Sequence, residues 1–108
     1  MERELKVIRE VILEVAKKCR IGIEKIILFG SRARGDCRED SDWDILIVTD
    51  EKLDWKREKS FLGDVYRELG KRGVNAEVIL SSARDFDELS EDIGTVHHWA
   101  KMEGIVIA

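Results

Sequence analysis

Ile26-Ile27-Leu28-Phe29-Gly30-Ser31-Arg32-Ala33-Arg34-Gly35, followed after a polar stretch by Asp42-Trp43-Asp44-Ile45-Leu46-Ile47-Val48, is the segment that decides how this chain folds. Two short apolar runs flank residues dense in Arg, Gly and Asp, the pattern of two buried strands joined by a polar turn. The first strand is expected over 25–29, ending where Gly30 lets the chain turn tightly, and the second over 42–49. No long helix fits between them, so they are expected to be antiparallel or part of a mixed sheet rather than a doubly wound parallel set.

Working outward, Leu5, Ile8, Val11, Ile12, Val15, Ala16 and Cys19 recur at helical spacing, which predicts an amphipathic helix over 3–20 that Gly22 can terminate. Downstream, Trp55, Leu62, Val65, Tyr66 and Leu69 fall on one helical face within 53–73, with Asp54 as N-cap and Gly70 or Gly73 near the end. Residues 74–80 read as a third strand. Residues 81–102 hold one or two shorter helices, followed by Gly104 and the apolar pair Ile105 and Val106. The fold class expected is α/β, a small mixed sheet covered by helices. A length of 108 residues, with no repeat or linker, suits one domain over 1–108.

Apolar residues make up 44% of the chain and come in ordered runs, which excludes a disordered tail and predicts a folded soluble protein. The longest apolar runs fall far short of a membrane span, and Glu2, Arg3 and Glu4 stand where a signal peptide needs apolar residues, so no membrane association and a cytoplasmic location are expected. A net charge of −4 argues against direct nucleic-acid binding, which needs concentrated Lys and Arg. Charged residues reach 39%, with no Gln, no Pro and one Asn, a balance seen in heat-adapted proteins, although the lack of loop proline cuts against it. Cys19 is expected on the apolar helix face and Cys37 in a polar loop, with a disulfide between them the lesser reading.

The chemistry lies in the central segment. Gly30 allows the backbone to approach a ligand closely, the residues after it can start a short helix whose free amides attract phosphate, and Ser31 adds a hydroxyl. Asp42 and Asp44 are two apart on a predicted strand, so both carboxylates point to one face and Trp43 to the other. Such a pair repels itself unless a cation sits between, and Mg²⁺ takes one or two carboxylates while keeping phosphate oxygens and water as further ligands. A two-metal transfer also needs a third carboxylate to hold a metal and take the proton of the attacking hydroxyl. Glu77 is the candidate, since it lies within an apolar strand where an unpaired charge is costly unless the strand passes a polar site, although a strand near an edge can also carry a Glu toward water.

Gly30-Ser31, ten intervening residues and Asp42-x-Asp44 resemble the signature of the DNA polymerase beta nucleotidyltransferase superfamily. The fuller text from Gly30 to Val48 resembles the minimal nucleotidyltransferases, small prokaryotic proteins encoded beside HEPN-domain toxins, and the surroundings of Glu77, Gly94 and Gly104 are similar too. The resemblance implies a polymerase-beta-like fold, Mg²⁺ (two ions) on Asp42, Asp44 and Glu77, and the triphosphate of ATP on Gly30 and Ser31. It implies transfer of AMP to a hydroxyl acceptor, a cognate HEPN toxin, with this chain as antitoxin. The family's third carboxylate is usually Asp; Glu77 is one methylene longer, which keeps open an antitoxin that binds nucleotide and neutralises its partner by occlusion. Transfer to a small molecule such as an aminoglycoside is disfavoured, because relatives of that kind carry an additional helical domain.

Simpler readings stand beside these. Arg32 and Arg34 can contact phosphate or form a solvated basic face. Asp40, Asp42, Asp44 and Glu51 fit positions 1, 3, 5 and 12 of a calcium loop, but Ile45 replaces the glycine that loop needs. His97 and His98, adjacent on a helix, diverge and are expected to be solvated or partner-facing. Trp43, Trp55 and Trp99 are expected in the core.

Overall fold

The computed structural model describes residues 2–108. The chain runs α1 (Glu2–Cys19), β1 (Ile23–Phe29), α2 (Ser31–Arg34), β2 (Trp43–Thr49), α3 (Trp55–Lys71), β3 (Ala76–Ser82), α4 (Ala83–Leu89), α5 (Val96–Glu103) and β4 (Ile105–Val106). The four strands form one sheet in the order β3-β2-β1-β4. β1 is antiparallel to both β2 and β4, and β2 is parallel to β3, so the sheet is mixed as its short β1–β2 connection predicts. Among the described residues no helix is long and apolar enough to cross a membrane.

Alternation along the strands sorts the interior into two cores. Ile26, Leu28, Trp43, Ile45, Ile47 and Val78 pack with Ile8, Val11, Ile12 and Val15 of α1 and Phe61, Val65 and Leu69 of α3. On the other face Ile27, Leu46 and Val48 meet Phe86 of α4 and Ala100 of α5 in a smaller cluster. Asp44 and Glu77 occupy this second face by register, since each alternates with residues of the first core.

Several local expectations need correction. Arg20, not Gly22, ends α1: its backbone takes φ 58° and Ile21 N–H bonds Ala16 O at 2.9 Å. Gly22 is small for a different reason, because a Cβ there would strike the Asp50 side chain. β2 starts at Trp43, so Asp42 precedes the strand rather than opening it, and β3 runs two residues past the predicted end. Asp54 does cap α3, accepting from Arg57 N–H at 2.9 Å. The buried stripe of that helix is Phe61, Val65 and Leu69, which leaves Trp55 at its margin and 70% exposed. Trp43 is buried, whereas Trp99 is half exposed and donates its indole N–H to Ile93 O at 3.0 Å. The apolar pair Ile105 and Val106, not assigned to a strand from the sequence, forms a paired edge strand. Both cysteines are free. β2 runs through 43–49, which removes the loop a calcium site would require.

Candidate active site

Gly30 ends β1 with φ 74° and is the N-terminal residue from which α2 starts. Its carbonyl accepts the amides of Ala33 and Arg34, both at 3.1 Å, and no side chain caps the helix. The amides of Ser31 and Arg32 are therefore left without a partner inside α2. A Cβ on Gly30 would run into the Asp44 carboxylate, so the glycine is required twice, by its φ and by this approach. The turn predicted to hold phosphate and the carboxylate predicted to hold metal are thus in contact.

Phe29 pairs with Asp44 across β1 and β2, and Asp44 pairs with Glu77 across β2 and β3. In a parallel pair such register neighbours lie side by side on one face. Asp44 is half-buried, while Asp42 and Glu77 are exposed. Burial pushes the Asp44 carboxyl above its ordinary value; the neighbouring Glu77 and Asp42 charges push the same way, and Arg34 opposes them. Asp42 accepts a hydrogen bond from Asn75 Nδ2 at 2.7 Å, and Asn75 O accepts the Trp43 amide at 3.0 Å. Asn75 thus joins the candidate site, a residue not singled out from the sequence although its being the chain's one Asn was visible. Glu77 reaches solvent rather than being enclosed, because β3 is an edge strand; register sets it beside Asp44, and its charge acts on that carboxyl.

The donor set is chemically suited to Mg²⁺: hard carboxylate oxygens whose mutual repulsion a cation would relieve. Among the described residues no three His, Cys, Asp or Glu side chains converge into a ready-made ion cage. Mg²⁺ does not require one, since one or two carboxylates suffice when substrate phosphates complete the shell.

The two arginines divide. Arg32 donates to Ser41 O from Nε at 3.0 Å and from Nη2 at 2.7 Å. Arg34 pairs with Asp36 at 3.3 Å and with Glu103 of α5 at 3.7 Å, and its charge reaches Asp44. His97 and His98 are half-buried rather than solvated: His98 Nδ1 lies 2.9 Å from Ser90 O, and His97 Nδ1 is enclosed without a hydrogen-bond partner.

Residues 10–107 match the family model described as Polymerase beta, Nucleotidyltransferase. The chain belongs to that family. A protein of Methanocaldococcus jannaschii, provisionally named protein adenylyltransferase MJ0604, is 54% identical over 52 residues. That match spans 48% of this chain and about half, 52%, of the relative. A crystal structure from Sulfolobus solfataricus, provisionally called a nucleotidyltransferase, shares the fold at TM-score 0.64 and 24% identity, over 96% of this chain and 78% of that one. A solved structure provisionally called a minimal nucleotidyltransferase aligns at TM-score 0.54 and 26% identity, over 90% and 86% of the two chains. A toxin-antitoxin structure with AMP-PNP aligns at TM-score 0.56 and 16% identity, over 92% and 71%. This member of the polymerase beta family fits the minimal nucleotidyltransferases within it.

Proposed function

We propose that residues 1–108 form one nucleotidyltransferase domain that moves AMP from ATP to a hydroxyl on a HEPN-domain toxin, acting in the cytoplasm as its antitoxin. The observation that carries this reading is the placement of Asp44 between Gly30 on one side and Glu77 on the other, which sets a turn suited to phosphate beside a row of carboxylates. The relative named for protein adenylylation and the toxin-antitoxin structure with a bound ATP analogue support the substrate and the partner.

In this reading Ser31 and the first amides of α2 hold the triphosphate. Asp42, kept in place by Asn75, and Asp44 hold Mg²⁺, with Glu77 serving a second ion. An ion held by these carboxylates would supply charge neutralisation and Lewis acidity at the phosphoryl oxygens. Glu77 takes the proton of the hydroxyl as its oxygen bonds to the α-phosphorus of ATP and pyrophosphate leaves, and its exposed position on an edge strand leaves room for a macromolecular acceptor.

The test is transfer of label from α-³²P-ATP to the protein encoded by the neighbouring gene. Wild type should label it in the presence of Mg²⁺, and Asp42→Asn with Asp44→Asn should not. Mg²⁺ with ATP should also raise the Tm of wild type but not of the double variant, because ligand that binds only the native state stabilises it by mass action. A double variant that responds fully to both would place the site elsewhere. A wild type that binds the partner tightly without labelling it would make this antitoxin one that works by occlusion.

A further inference from the structure

Residues 35–42 connect α2 to β2, and one side chain gathers them. The Arg32 guanidinium donates to Ser41 O at 3.0 and 2.7 Å and to Glu39 O at 3.1 Å, and Nη1 comes within 3.9 Å of Cys37 Sγ. Its Cζ lies 4.2 Å from the centre of the Trp43 ring, which is itself buried. Residues 37, 39, 41 and 43 are thus all touched by a group that begins one residue after Ser31. The loop's own bonds add little across this span: Ser41 N–H bonds Arg38 O at 3.1 Å, and Ser41 Oγ accepts the Arg38 amide at 2.8 Å.

We infer that Arg32 is the positioning residue that sets Asp42 and Asp44 relative to the Gly30–Ser31 turn, by bonding the loop carbonyls ahead of Asp42 while stacking on the ring between the two aspartates. The inference rests on the nucleotidyltransferase reading of that site and gives Arg32 a role apart from phosphate contact. The chemistry favours arginine specifically. Its planar fork bonds two carbonyls at once and lies flat on an indole, whereas a lysine ammonium offers a point charge with neither geometry. Asp42 is exposed and precedes β2, so no strand bond of its own fixes it; Asn75 holds it from one side and the Arg32 clamp from the other. Groups that orient metal ligands typically change metal affinity by about 10–100-fold when removed.

The experiment compares wild type with Arg32→Lys and Arg32→Ala through Mn²⁺ binding followed by electron paramagnetic resonance, amide exchange, and transfer kinetics. Arg32→Lys should weaken Mn²⁺ about tenfold and speed exchange over 37–42 while leaving α1 and α3 protected. It should keep the KM for ATP within about twofold, and saturating metal should restore kcat, a rescue that general loss of structure would not allow. Unchanged Mn²⁺ affinity, or unchanged exchange in that loop, in both variants overturns the clamp. So does a raised KM for ATP with metal affinity intact, which would make Arg32 a phosphate ligand. A wild type that transfers nothing sinks the enzyme reading alone, because metal affinity and exchange still judge Arg32.

Discussion

Glu77 carries the sharpest consequence at the scale of single residues. Its side chain is exposed and, among the described residues, makes no hydrogen bond or ion pair, so Glu77→Gln should leave stability within about 0.5 kcal/mol of wild type. Transfer to the cognate partner should fall about 10²-fold or more, as expected for loss of a general base, while ATP binding persists. Glu77→Asp should retain transfer. A Gln variant that labels its partner at the wild-type rate removes Glu77 from the chemistry. Gly30, Ser31, Asp42 and Asp44 were legible in the sequence because their spacing is local and each residue type has one strong reason to be there. Asn75 and Arg32 were not. Asn75 meets Asp42 across 33 positions of chain, and the direction Arg32 takes depends on where the folded loop puts its carbonyls.

At the scale of elements, helices and strands could be read from periodicity, whereas their edges and exposures could not. Trp55 and Phe61 have similar apolar character, and only the sheet beneath α3 decides that Phe61 is buried and Trp55 left out. Likewise, the apolar neighbours of Glu77 suggested an enclosed strand, because sequence does not say which strand lies at the border. That border has its own support. Tyr66 of α3 accepts the Val78 amide at 2.8 Å and lies 3.4 Å from Val78 O, taking up ladder groups that the edge strand β3 cannot pair. Tyr66→Phe keeps the ring but loses both bonds, and should cost about 1 kcal/mol in urea unfolding. An unchanged midpoint would mean that water serves Val78 equally well.

At the scale of the whole molecule, the two faces of the sheet are unequal. α1 and α3 seal a large core, while α4 and α5 cover a cluster built on Phe86 and Ala100. Local opening follows the amount of buried apolar contact, so native-state amide exchange should release α5 and β4 before α1 and α3. Simultaneous release of all helices would show that the small core is as cooperative as the large one. The order of the elements up to β3, and the mixed character of the sheet, was legible because each connection is short; β4, two residues long, was not. The asymmetry was not, since it depends on which face each short helix covers. β2 joins the two faces: Trp43, Ile45 and Ile47 look toward the large core, and Asp44 looks away from it. Apart from Trp43, on which Arg32 stacks, heritable change can therefore act on the two separately. A lineage can exchange residues beneath α1 and α3, gaining or losing heat tolerance, while the carboxylate row on the opposite side of the same strand keeps its arrangement.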